Sequence, residues 1–201
     1  MARPILVATR SSGKMKELRA LFSGAGHVVL SLDEAGITAA STEDTLEAAA
    51  TFEDNALSKA RYFHARSGLP TIADDSGIEI AALGGAPGVY SKRWSERPDL
   101  SGEALDDANN ALLIKKLEGV VDRRARYVCA VAFCDGAREL VARGEVDGRI
   151  AEVPRGSNGF GYDPYFESDE LGKTFGEASP AEKARVSHRG RAIAMLLARL
   201  E

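Results

Sequence analysis

Residues 5–8 are an unbroken apolar run, and it ends in Thr9-Arg10-Ser11-Ser12-Gly13-Lys14 before Leu18, Leu21 and Phe22 recur at helical spacing. A continuous run of that length suits a strand buried on both faces, so the pattern predicts strand, polar loop, helix, a junction suited to binding a ligand. A second strand is expected over residues 28–32, followed by a polar stretch with acids at Asp33, Glu34, Glu43, Asp44 and Glu47. Thr51 precedes Phe52-Glu53-Asp54 as an N-cap before first-turn acids, and that helix should run to Arg66, where Gly68 and Pro70 stop it. The next strand, Leu69-Pro70-Thr71-Ile72-Ala73, is expected to end at Asp74-Asp75-Ser76-Gly77, with a further strand over residues 78–83 leading to the turn Gly84-Gly85-Ala86-Pro87-Gly88.

Residues 101–118 return to helical spacing through Leu105, Ala108, Leu112, Leu113 and Leu117, with Gly119 as the C-cap. Strands over 127–133 and 139–146 flank Asp135-Gly136, a hairpin signal, and another strand is expected near 150–153. The chain closes with helices: Ser179-Pro180-Ala181-Glu182 combines an N-cap, proline at the first helical position and a capping-box glutamate. Early alternation of helix and strand followed by hairpins predicts an α/β protein, a mixed sheet with flanking helices. Two lobes with a cleft fit that order.

Composition narrows the function. The 201 residues, 44% hydrophobic and 28% charged, are enough to bury a real core as one domain. With 26 basic against 30 acidic residues, a net charge of −4, no bulk positive field favours nonspecific nucleic-acid binding. Any anionic ligand must be met locally. Apolar stretches such as 192–198 are far below the roughly 20 residues needed to span a bilayer, so no membrane partner is expected. Residues 1–9 hold no signal-peptide pattern. Cys129 and Cys134 lack metal or redox spacing, which fits a reduced cytoplasmic protein.

Three segments carry candidate chemistry besides the acidic pair. Thr9 to Lys14 offers hydroxyls, helix-start N–H groups and an ammonium to phosphate oxygens, although Ala8 and Met15 break the Walker A pattern. Ser157-Asn158-Gly159-Phe160-Gly161-Tyr162-Asp163-Pro164 frames aromatic rings with glycines, either to stack on a planar base or to pack in the core. Glu182 to Arg191 is dense in cations, suited to an anion or to a solvated helix face. Asp74 and Asp75 should point to opposite faces of their strand, so one can face a cation while the other braces it; the same string is also ordinary turn composition. Together these segments supply carboxylates for a hard cation, cations for phosphates and aromatics for a base.

The chain resembles the inosine/xanthosine triphosphate pyrophosphatases, or Ham1-like proteins, over nearly its whole length. The resemblance rests on Thr9-Arg10-Ser11-Ser12-Gly13-Lys14-Met15-Lys16-Glu17, Phe52-Glu53-Asp54-Asn55-Ala56, Ala73-Asp74-Asp75-Ser76-Gly77 with Leu83-Gly84-Gly85-Ala86-Pro87-Gly88, Gly159-Phe160-Gly161-Tyr162-Asp163-Pro164, and Lys183 with Ser187-His188-Arg189-Gly190. It implies a single two-lobed domain over residues 1–201 with a central cleft. It also implies a homodimer, and Mg²⁺-dependent hydrolysis of ITP, dITP or XTP to the monophosphate and pyrophosphate. Carried over by position, Asp75 resembles the proton acceptor and a metal ligand, with Glu47 as the second ligand and Asp74 in support; Glu43 and Glu53 are the neighbouring carboxylates that compete with Glu47. Thr9, Arg10, Ser11, Ser12, Gly13, Lys14, Ser76, Lys183, His188 and Arg189 resemble the substrate-binding set, and Phe160, Gly161, Tyr162 and Asp163 resemble the base and sugar pocket.

One position departs from the family pattern, which has Asn where this chain has Ser11. A hydroxyl offers one donor instead of an amide's two, so triphosphate binding is expected to be weaker by about 1 kcal/mol. The rival readings are a Maf-type pyrophosphatase acting on pyrimidine nucleotides and a nucleotide sensor that binds without hydrolysis.

Overall fold

The computed structural model describes residues 4–200; Met1 to Arg3, part of the N-terminal stretch read above, lie outside the described residues. β1 (Ile5–Val7) feeds α1 (Ser12–Gly24), which is followed by β2 (Val29–Ser31). α2 (Phe52–Ser67) starts at the Thr51 N-cap, whose hydroxyl accepts from the Asp54 N–H, and stops at Gly68, whose φ of 65° is open to glycine at little cost. β3 (Thr71–Ile80), α3 (Gly102–Lys116), β4 (Arg124–Cys134) and β5 (Glu139–Ile150) follow, then β6 (Phe166–Ser168), β7 (Lys173–Thr174), α4 (Pro180–Val186) and α5 (His188–Leu197).

The strands form one open sheet in the order β2-β1-β3-β4-β5-β6-β7. β1 runs parallel to β2, with Ile5 opposite Val29, and to β3, with Leu6 opposite Thr71; β6 is antiparallel to β5 and β7. This is the mixed sheet with flanking helices that the alternating pattern predicts.

Three boundaries differ from expectation. β3 does not stop before the acidic pair but continues through Asp74, Asp75, Ser76 and Gly77 to Ile80, because both carboxylates find buried partners and need no turn to reach water; the separate strand expected over residues 78–83 is the end of β3 followed by a 3-10 turn over Ala81–Leu83. The strand expected near 150–153 is absent. β5 extends to Ile150 instead, and Arg123 closes its end by donating from Nε to the Ile150 carbonyl (2.7 Å) and from Nη2 to the Ala151 carbonyl (3.2 Å). α3 ends one turn before Gly119, with Leu117 at the C-cap. The α4 capping box is formed as read, with the Ser179 hydroxyl accepting from Glu182 N–H and the Glu182 carboxylate accepting from Ser179 N–H (2.9 Å).

The chain divides into two compact units. The first comprises residues 1–75, 129–144 and 189–201, the second residues 76–128 and 145–188. The first has its core where Ile5, Val7 and Ile72 of the parallel strands meet Leu18 and Phe22 of α1, Val131 and Phe133 of β4, and Ile193 and Leu196 of α5. The second packs Ile78, Ile80, Tyr127, Val146 and Ile150 with Leu113 and Leu117 of α3 and with Phe166 and Phe175. Among the described residues, no helix is long and apolar enough to cross a membrane.

Candidate active site

In the first unit, the loop after β1 is held by its own hydroxyls. Thr9 Oγ1 accepts from the Ser11 N–H (3.2 Å), and Ser11, with extended backbone, caps α1 by accepting from the Lys14 N–H (3.3 Å). No acid occupies the first turn of that 13-residue helix, so the positive end of its dipole around Ser12 and Gly13 is left to an anion. Arg10 reaches away from this turn. It grips Glu43 with Nε (3.0 Å) and Nη2 (2.9 Å) and donates from Nη1 to the Ile37 carbonyl (3.0 Å).

The acidic pair lies mid-strand on β3, and alternation sends its two side chains to different partners. Asp74 Oδ2 receives Lys14 Nζ (3.2 Å), Arg189 Nε (3.2 Å) and Arg189 Nη2 (3.1 Å); Arg189 Nη1 donates to Glu17. Burial opposes the Asp74 charge, but Lys14, Arg189 and Lys59 outweigh it and hold its carboxyl well below the ordinary range. Lys14 answers in kind: burial works hardest against its ammonium, and Asp74, Asp75 and Glu47 together outweigh it, raising its pKa. The Cys129 thiol lies 3.9 Å from the same Asp74 oxygen, and burial and that charge push it up to about 12, making it a neutral neighbour.

Asp75 sits among another set of groups. Its Oδ2 accepts from Asn55 Nδ2 (2.9 Å), and Lys59 Nζ lies 3.9 Å from Oδ1. Asn55 and Lys59 are four residues apart on α2, hence on one face, and both are buried. Lys59 also pairs with Glu47 and donates to the Asp74 carbonyl (2.7 Å), so one ammonium draws Glu47 and Asp75 together. The competing carboxylates are engaged elsewhere, Glu43 by Arg10 and Glu53 by Arg143 (2.8 Å). Burial pushes the Asp75 carboxyl up, and Lys59 and Lys14 bring it only part of the way back. A buried carboxylate short of positive charge, next to a second carboxylate, is a donor set that suits a hard divalent cation.

In the second unit, Asp163 is the centre of the glycine and aromatic loop. Its Oδ2 accepts from Lys183 Nζ (2.5 Å) and Phe160 N–H (2.8 Å), and Oδ1 lies 3.4 Å from the Tyr127 hydroxyl. Gly159, with φ of 78°, passes so close that a Cβ there would lie 2.0 Å from Asp163 Oδ2. Lys183 Nζ stands 5.1 Å from the Phe160 ring centroid and 5.4 Å from that of Phe175, within cation–π range. Tyr162 is buried in the core and donates its hydroxyl to the Ser91 carbonyl (2.7 Å), so of the two readings for that ring its position matches core packing. The His188 ring stacks on Tyr127 at 4.5 Å and 6°. Gly161 lies between Phe160 and Tyr162 in the same loop, and half-buried Ser76 follows Asp75 on β3.

A family model described as the Ham1 family matches residues 5–199. The chain belongs to the Ham1 family. A relative from Mycobacterium tuberculosis (strain ATCC 25618 / H37Rv) named dITP/XTP pyrophosphatase is 50% identical over 195 residues, covering 96% of this chain and 93% of its own length. One of the same name from Mycolicibacterium paratuberculosis is 48% identical over 204 residues, 98% and 96% of the two chains. A solved HAM1 protein from Coxiella burnetii matches with a TM-score of 0.82 at 34% identity, covering 99% of this chain and 98% of that one.

Three residues with no role legible in the sequence join the network of the acidic pair in this Ham1 chain: Asn55 on Asp75, Lys59 on the Asp74 carbonyl, and Glu17 on Arg189. Asn55 and Lys59 left a signal, polar residues at i and i+4 among the apolar positions Phe52, Ala56, Ala60 and Phe63 of α2. Glu17 left only its place at the end of the first block that carries the resemblance. Among the described residues no three acidic, histidine or cysteine side chains cluster as metal ligands, so a cation at Glu47 and Asp75 must draw its other oxygens from substrate and water, as Mg²⁺ commonly does.

Proposed function

We propose that this protein is a nucleoside triphosphate pyrophosphatase that hydrolyses the non-standard purine nucleotides ITP, dITP and XTP to monophosphate and pyrophosphate, keeping them out of DNA and RNA. The observation that carries this is the split of the acidic pair, with Asp74 locked among cations and Asp75 left under-compensated beside Glu47. The names of relatives at 48% and 50% identity support it.

Glu47 and Asp75 would hold Mg²⁺, which when bound neutralises phosphate charge and polarises the α-phosphorus. Asp75 takes a proton from the water that attacks this phosphorus; a new P–O bond forms, the bond to the bridging oxygen breaks, and pyrophosphate leaves. Ser11, Ser12, Gly13 and Lys14 bind phosphate oxygens through N–H groups, hydroxyls and the ammonium, with Thr9 and Arg10 fixing the loop. Ser76 contributes a further hydroxyl. Asp74 and Arg189 position Lys14, since the three guanidinium nitrogens already donate to carboxylates. Phe160, Gly161, Tyr162, Asp163 and Lys183 form the base and sugar end, where Phe160 stacks and Tyr162 supports from below. Donors at His188 meet the 6-keto oxygen of hypoxanthine or xanthine and are left unpaired against the 6-amino group of adenine, which penalises ATP.

The protein is placed in the cytoplasm, a location supported by two free, buried cysteines, and it is taken to act as a homodimer, which sedimentation tests. The deciding assay measures pyrophosphate released from ITP, XTP, dITP, ATP, GTP and dTTP with Mg²⁺. Pyrophosphate from ITP, dITP and XTP ahead of the others is expected. Preference for dTTP would favour the Maf-type reading, orthophosphate an NTPase, and binding without release a sensor.

A further inference from the structure

α3 buries a stripe that its neighbours would lead one to expect to be apolar. Asp106, Asn109 and Asn110 fall at i, i+3 and i+4, and the two asparagines are 3% and 8% exposed. Each makes bonds to loop backbone. Asn109 Oδ1 accepts from Ser95 N–H (2.8 Å) and its Nδ2 donates to the Lys92 carbonyl (3.0 Å). Asp106 Oδ2 accepts from Gly161 N–H (2.8 Å), while Asn110 Nδ2 donates to the Gly161 carbonyl (3.0 Å).

Both polar groups of one residue, Gly161, are therefore held by two side chains one helical turn apart. Gly161 has φ of 63°, a conformation that permits the loop to pass through this point. The remaining atom of the Asn110 amide, Oδ1, is buried with no hydrogen-bond partner among the described residues. A buried, half-satisfied amide is costly, and its bond to Gly161 is what repays its presence there. Tyr162, the next residue, is fixed separately by its hydroxyl on the Ser91 carbonyl, and Ser91 Oγ accepts from Ile78 N–H of β3 (2.9 Å). Held at Gly161 and Tyr162, the loop has little freedom to move Phe160 or Asp163 on either side.

We infer that Asp106 and Asn110 are positioning residues that clasp Gly161 and so set the Phe160 ring and the Asp163–Lys183 pair for purine recognition. This rests on the assignment of residues 160–163 to the base and sugar. The clasp governs selectivity and substrate affinity, whereas the bond-breaking chemistry depends on Asp75 and is spared.

Asp106→Asn is the conservative control. Burial raises the Asp106 carboxyl pKa, the Gly161 N–H bond draws it back, and an amide oxygen at that place still accepts from Gly161. Steady-state kinetics on ITP and ATP with Mg²⁺ should show KM for ITP rising about tenfold in Asp106→Ala and in Asn110→Ala, as expected for one or two lost hydrogen bonds. kcat should stay within about threefold and the ITP-over-ATP preference should shrink, with Asp106→Asn near wild type on each measure. Amide exchange at Gly161 should accelerate in Asp106→Ala and not in Asp106→Asn. The inference is overturned if KM and preference are unchanged in both alanine variants, or if kcat falls in step with thermal stability and Asp106→Asn is no better than Asp106→Ala. A wild type that releases no pyrophosphate from ITP overturns the assigned reaction instead, and Gly161 exchange then judges the clasp by itself.

Discussion

Asp74 and Asp75 are joined by one peptide bond and held in opposite electrostatic states. The Asp74 carboxyl is driven well below the ordinary 3.8, and that of Asp75 is pushed above it. Strand alternation gives the first two cations, Lys14 and Arg189, and gives the second an amide, Asn55, with Lys59 at 3.9 Å. Adjacent identical residues thus differ in proton affinity, which suits the proposed roles of brace for Asp74 and base for Asp75.

Asp75→Asn should cut kcat on ITP by about 10² to 10⁴, the usual range for a lost general base, while leaving the protein folded. The amide removes a charge that burial disfavours, so the thermal midpoint without metal should hold or rise. Turnover near wild type at saturating Mg²⁺ would take Asp75 out of the mechanism.

Asp74→Asn should behave differently. It removes the carboxylate shared by half-buried Lys14 and buried Arg189, leaving Arg189 with Glu17, and breaking such a cluster from one side costs about 3–5 kcal/mol. Urea unfolding should show this loss with an unchanged m value. A loss no larger than that of Asp75→Asn would mean that the cluster is not what braces the strand.

Acid should separate the two carboxylates with opposite signs. Asp74 has a depressed folded pKa, so its contribution is fully present above about 3.8 and is lost as pH falls below that value. Asp75 has a raised folded pKa, so its ionised burial is a penalty at neutral pH that is relieved as pH falls through that pKa. Thermal midpoints in chelator from about pH 6 to about pH 2.5 should show the gap between wild type and Asp74→Asn narrowing below the ordinary carboxylate value. A constant gap would refute the assignment.

Gly159→Ala should damage the second unit locally. Its Cβ would collide with Asp163 Oδ2 at 2.0 Å, and φ of 78° already disfavours any side chain. The expected result is a lower thermal midpoint with KM for ITP raised more than kcat is lowered. Wild-type KM would show that the contact between Gly159 and Asp163 is not needed for binding.

Ser11→Asn tests the expectation, drawn from the resemblance, that an asparagine at this position binds triphosphate better than the serine present. Both residues are good N-caps, so α1 should keep its start, and Ser11→Ala should cost about 1 kcal/mol. The asparagine variant should gain up to about fivefold in kcat/KM for ITP, the worth of one modest hydrogen bond. No gain would show that the hydroxyl already makes the contact.

Local signals were legible in this chain because they are local physics. The apolar run before Thr9, the Thr51 cap, the Gly68 stop and the Ser179-Glu182 capping box each depend on neighbours within four residues, and each appears where the pattern put it. The family was also legible, since its five blocks keep their order. β6 and β7 were not, because strands of three and two residues carry too little alternation to stand out.

The sequence by itself determined the mixed α/β class, both ends of α2, the start of α4 and the inventory of carboxylates, cations and glycines. Only the tertiary structure decided what each does. Asp74-Asp75-Ser76-Gly77 has the composition of a turn, and it is strand because Arg189, 115 positions away in the chain, and Lys14 and Asn55 supply the charges and hydrogen bonds that burial demands. Lys59, which draws Glu47 and Asp75 together, and Asp106 and Asn110, which grip Gly161, are ordinary helix residues until folding sets their partners. Hydrogen bonds and charge compensation act over a few ångströms, and which groups come that close is a property of the fold.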